Sequence, residues 1–201
     1  MKRVARIISY VFHPLLMPTL GLVLLLNSGT YISLLDPAAK RAILFIMALG
    51  TLIFPAMMIP ILYYRNLIAG LQNDSGEERL IPHFIILVLY VITFVYFVRL
   101  PLSKIIHAYV LSVSLTLFLL LLLSFRFRLC MHMAALGGIT GLIIALTLLY
   151  ETQMEGILML VLMAAGLTGT SKLILKTQKP GEVLAGYLIG FGIVLTTLLV
   201  Y

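Results

Sequence analysis

Ser171-Lys172-Leu173-Ile174-Leu175-Lys176-Thr177-Gln178-Lys179-Pro180-Gly181-Glu182-Val183-Leu184-Ala185-Gly186 joins two apolar runs, Gly156 to Thr170 and Val183 to Tyr201. The first run is short for a bilayer crossing and extends naturally through Leu175. About 20 apolar residues span the hydrocarbon core, and only a helix satisfies its own backbone groups there. The quoted stretch is therefore a polar boundary loop between two membrane helices. Gln178 and Glu182 are four residues apart, which on a helix puts them on one face. An acid at such a boundary needs a partner, and Lys179 or Lys172 can supply it.

The whole chain reads the same way. Of its 201 residues 62% are hydrophobic and 10% charged, with a mean hydropathy of +1.16. A soluble domain carries roughly 25% charged residues, so these side chains cannot cover a water-facing surface. Seven runs fit membrane helices: Ile7 to Leu26, Ala42 to Tyr64, Leu80 to Val98, Ile105 to Phe125, Met131 to Tyr150, and the two already given. Pro14 and Pro18 interrupt the first, because each removes a backbone donor and clashes with the preceding turn. That run is expected to be kinked or re-entrant, with His13 donating to a carbonyl that the kink frees. It is too long, and lacks the small-residue cleavage site, for a secretory signal. The expectation is an all-α, polytopic integral membrane bundle of six to seven helices, a single membrane domain over residues 1–201.

The formal charge is +7. With seven crossings, ten of the 14 basic residues fall on one side, among them Arg79, Arg126, Arg128 and Lys172. Basic loops are retained in the cytoplasm, so the N-terminus is expected there. No basic run exceeds two residues, which argues against nucleic acid. Cys130 is the lone cysteine, so no internal disulfide forms.

Two further polar clusters fall on that same side. Arg126-Phe127-Arg128-Leu129-Cys130-Met131-His132 opens the fifth run, and Asn73-Asp74-Ser75-Gly76-Glu77-Glu78-Arg79-Leu80-Ile81-Pro82 opens the third. Together with 171–186 they resemble, in order, the three signatures of the type 2 phosphatidic acid phosphatase (PAP2) superfamily, over roughly residues 65–192. The third signature of that family reads Ser-Arg, five residues, His, three residues, Asp, then Ala-Gly. Ser171, Glu182 and Ala185-Gly186 keep its spacing, while Lys172 replaces the arginine and Gln178 the histidine. Cys130 and His132 fall where the second signature has Ser and His. Arg79 matches the first signature, whose lysine is missing and whose proline is displaced to Pro82.

The resemblance implies a core of that family's fold and a lipid phosphate or pyrophosphate site at the membrane boundary. Arg79 and Lys172 would grip phosphate, Ser171 would donate a hydrogen bond, and His132 would be the general acid. Glu182 would stand as the orienting carboxylate of Gln178. Arginine, lysine and helix N-termini suit phosphate because they neutralise its oxygens and donate to them. In the family a histidine attacks phosphorus, and a carboxamide has no lone pair for that step. Gln178 thus favours a catalytically silent binder, flippase or complex subunit over a hydrolase of phosphatidic acid, phosphatidylglycerol phosphate or undecaprenyl pyrophosphate. No cofactor and no metal are implied. The expected partners are membrane lipids with phosphorylated headgroups, and a homo-oligomer or a membrane-protein partner stays open. The implied location is the bacterial inner (cytoplasmic) membrane.

Plainer readings stand beside these. His132 reads equally as a helix-end histidine, His83 and His107 as interfacial residues, and the lysines as snorkelling headgroup anchors. Gly137, Gly138, Gly141, Gly186, Gly190 and Gly192 read as helix-packing contacts. A carrier unrelated to the family would need charges at mid-membrane depth, and the runs hold almost none.

Overall fold

The computed structural model describes residues 2–64 and 76–201; for residues 59, 62, 63 and 76–81 it describes the backbone alone. The described residues form helices and no strands. In chain order these are α1 (Lys2–Val11), α2 (Met17–Leu26), α3 (Pro37–Ala48), α4 (Phe54–Tyr64), α5 (Gly76–Val98), α6 (Lys104–Ser124), α7 (Met131–Tyr150), α8 (Glu155–Ile174) and α9 (Pro180–Val200). Five spans among the described residues are long and apolar enough to cross a membrane: Pro37–Met58, α6, α7, α8 and α9. Met17–Leu26 and Pro82–Val98 are shorter apolar helices. The protein is a helical integral membrane protein.

The first apolar run is broken, as its prolines require. Helix α1 ends at Val11, and α2 restarts with Pro18 in its first turn, where a missing N–H costs nothing. Pro55 has a comparable effect further on. It removes the donor for the Thr51 carbonyl, and the helix runs through a π segment, Leu49–Ile53, before α4 begins. The Tyr90 hydroxyl donates to that carbonyl instead (3.3 Å). A π turn relieves the ring clash that a proline imposes on the preceding turn.

Helix α7 is the centre of the bundle, with 67% of its apolar window buried against 28% for α8 or α9. It runs parallel to α9, and the two backbones touch. A Cβ on Gly137 or Gly141 would meet the carbonyls of Tyr187 or Phe191, and one on Gly186 or Gly190 those of Cys130 or Ala134. Small residues four apart on both faces allow this approach. The Tyr187 hydroxyl donates to Thr140 Oγ1 across the seam (3.0 Å). Gly138 sits against Val194, but the Cβ position of Gly192 meets open space, so the packing expectation fails there.

Helix order sets the two ends of the bundle. Tyr31 bonds Ser103 (3.0 Å) and its ring stacks edge-on with Tyr150, so one end holds the start of α6 and the end of α7. The opposite end holds the start of α7, the end of α8 and the start of α9. Ser114 Oγ donates to the Tyr90 carbonyl (3.3 Å), which lays α5 antiparallel to α6. The first turn of α5 is thereby brought to the same end as His132.

Candidate functional site

His132 lies in the first turn of α7 and Lys172 in the last turn of α8, so a short antiparallel helical pair delivers both to one end. Lys172 Nζ is 3.3 Å from His132 Nε2. An ammonium has donors only, so the imidazole accepts at Nε2 and, being neutral, carries its proton on Nδ1. His132 also hydrogen-bonds the backbone of Ser9 in α1. In this arrangement His132 has no proton at Nε2 to give a leaving group. The role of general acid expected from the sequence requires Lys172 to turn away first.

The broken first run contributes a residue that the sequence assigned elsewhere. His13 packs edge-on against the His132 ring, with centroids 5.8 Å apart and an interplanar angle of 73°. Its Nδ1 accepts a long hydrogen bond from the Leu15 N–H (3.4 Å). The kink therefore supplies His13 with a donor, whereas the sequence reading had His13 donate to a carbonyl. Lys172 acts electrostatically on both imidazoles. Thr168, one helical turn before Lys172, is fully buried. Its hydroxyl and that of Ser9 have no hydrogen-bond partner among the described residues.

Ser171, expected to donate to phosphate, is buried and gives its proton to the Leu167 carbonyl of its own helix (2.7 Å). This is the usual resort of a serine inside a helix. Gln178 and Glu182 do meet, though not along a helix face. Pro180 starts α9, which leaves Gln178 in the preceding turn. With its amide oriented to suit both neighbours, Gln178 donates to Glu182 Oε2 (3.0 Å) and to the Arg128 carbonyl (3.2 Å). Glu182 Oε2 also accepts from the Lys179 N–H (2.9 Å), capping the helix start. Among the described residues the partners of Glu182 are thus an amide and a backbone N–H, and not the ammonium of Lys172 or Lys179.

Cys130 precedes α7 and is buried, which pushes its thiol up from the ordinary value. Its N–H reaches the Glu182 carbonyl (3.3 Å), tying the second polar segment to the third. Arg79 lies in the first turn of α5; its side chain falls outside the described residues, as do residues 73–75 entirely. His107 is at the far end, bonded to the Phe97 carbonyl (3.0 Å), where it joins two helix ends.

The cluster has a consistent electrostatic character. An ammonium and two imidazoles share a half-buried cup, while the nearby carboxylate is engaged in capping. Among the described residues no free carboxylate faces this ammonium, and such an arrangement suits an anion, which would take charge-assisted hydrogen bonds from it. In comparisons with known proteins, no family model, curated protein or solved structure matches this chain.

Proposed function

We propose that the protein binds a phosphorylated lipid headgroup, a phosphate or pyrophosphate, at this end of the bundle and does not hydrolyse it through a histidine phosphoenzyme. The observation that carries the reading is the 3.3 Å approach of Lys172 Nζ to His132 Nε2. An entering phosphate monoester would take the ammonium, and the freed His132 Nε2 would accept a hydrogen bond from a protonated phosphate oxygen. The resemblance to the type 2 phosphatidic acid phosphatases supports the same choice of ligand. The pairing of Gln178 with Glu182 stands where that family's nucleophile would meet its carboxylate. A carboxamide held there can hydrogen-bond, but it cannot attack phosphorus. Arg79 belongs to the proposal through its place in the first turn of α5.

The test is a paired measurement on purified protein in nanodiscs containing phosphatidic acid or undecaprenyl pyrophosphate. Saturable binding that Lys172→Ala weakens, with phosphate release at background, is the expected result. Turnover abolished by His132→Ala would refute silent binding. Gln178→His restores the residue type of the family, and the Glu182 carboxylate 3.0 Å from the present amide is placed to orient the new ring. This variant, alone or with Glu182→Asp, is expected to raise phosphate release above background.

A further inference from the structure

A narrow cavity of about 70 Å³, partly open to the outside, runs into the bundle beside the cup. Two of its lining residues, Pro14 and Met131, are the chain neighbours of His13 and His132. The cavity and the cup therefore adjoin. On α6 the lining runs from Leu120 to Tyr109, which at 1.5 Å per residue is a depth of about 16 Å. Half of a hydrocarbon core of about 30 Å is roughly 15 Å, so the cavity is as deep as one leaflet. Tyr109 is fixed at the deep end, with its hydroxyl donating to the Pro18 carbonyl (2.8 Å). Apart from that tyrosine and Tyr90, the walls are almost wholly aliphatic.

We propose that this cavity holds one hydrocarbon chain of the lipid whose phosphate lies against Lys172 and His132, with the break at His13–Leu16 forming the junction between head and tail. The proposal rests on the headgroup reading above and adds the class of ligand: an anionic amphiphile drawn from the leaflet at this end. The Lys172 ammonium beside the cavity selects the occupant, because a neutral amphiphile would gain nothing from it. The position of the helix break has a reason in this account. It puts His13 into the cup and Pro14 and Leu15 into the cavity wall, which a continuous helix could not do with consecutive residues on different faces.

The chain contains no tryptophan, so one introduced indole reports without background. Leu117→Trp places it in the cavity wall, and Phe118→Trp places it at the same depth on an exposed face (48% exposed). Each protein, in plain detergent, is titrated with a monoacyl glycerol phosphate whose chain carries bromine. The expected result is loss of most of the Leu117→Trp emission, saturating near one lipid per protein, with Phe118→Trp little changed. Equal quenching of the two, or a response that never saturates, would overturn the tail site.

Two further arms separate this proposal from the one beneath it. If the headgroup reading fails, quenching persists unchanged with Lys172→Ala or with a neutral monoacyl glycerol, which would overturn the coupling of tail to phosphate. If only the tail site fails, glycerol phosphate without a chain binds as tightly as the acylated form, Lys172→Ala still weakens both, and Leu117→Trp stays bright. Size-exclusion profiles matching the wild type establish that each variant is folded.

Discussion

The two ends of the bundle spend their polar side chains differently. At the far end Asp36 caps α3 by accepting from Ala38 and Ala39. Lys40 reaches the Ser33 carbonyl (2.8 Å), and His107 that of Phe97. These groups close helix termini, whose backbone groups have no partner within the helix. Thr152 is the one buried hydroxyl left unpartnered there among the described residues. At the other end Glu182 does similar capping work, but Lys172, His132 and His13 are turned on each other. Their contacts are a hydrogen bond from Lys172 to His132 and an edge-on packing of the two imidazoles, and the lipid-phosphate proposal rests on this grouping.

The widest break in that comparison comes from the seam that supports both ends. Gly190→Leu would drive a side chain into the Ala134 carbonyl. It is expected to cost about 3 kcal/mol or more and to yield little folded protein by size-exclusion chromatography. Next, Lys172→Ala is expected to weaken binding of a lipid phosphate about tenfold or more, since a hydrogen bond to a charged group contributes roughly 1.5–3 kcal/mol. Equal affinity in wild type and variant, measured in nanodiscs, would erase the distinction between the ends.

Asp36→Ala sharpens the contrast from the opposite side. Loss of an N-cap costs about 1 kcal/mol, so a lower thermal midpoint with unchanged lipid binding is expected. The smallest effect concerns Cys130. Burial raises its thiol, and the thiolate is the reactive form. Alkylation at pH 8 should therefore be slow in the folded protein and fast after denaturation, as followed by mass spectrometry. Rapid labelling of the native protein would place the N-terminus of α7 in water.

Several elements were legible in the sequence for plain reasons. The run from Met131 to Tyr150 coincides with α7, and the short run before the boundary loop does extend through Ile174 as α8. Continuous apolar stretches bounded by Gly, Pro and charged residues leave little choice of ends. The break near Pro14 followed from the missing amide proton. The π segment did not, because a bulge that accommodates Pro55 leaves hydropathy unchanged. Within the site, the meeting of His132 with Lys172 was expected from the order of the polar clusters. The stacking of His13 on His132 was not, since residues so distant in sequence are joined by packing alone. For Gln178 and Glu182 the spacing suggested a shared helix face, whereas Pro180 begins the helix between them and moves the contact to its cap.

By itself, the sequence determined that the chain is built of apolar helices suited to a bilayer, the course of α6, α7 and α9 to within a residue or a few, and which boundary loops hold the cations. These follow from transfer free energies and local backbone chemistry, both of which act over a few residues. Only the tertiary structure decided that α7 lies at the centre and that α7 and α9 meet at their glycines. It also decided that the broken first run turns His13 toward His132 and Lys172 beside an apolar cavity. Helices of nearly equal hydropathy are equally welcome in lipid, so their arrangement is left to the close fit of one surface on another.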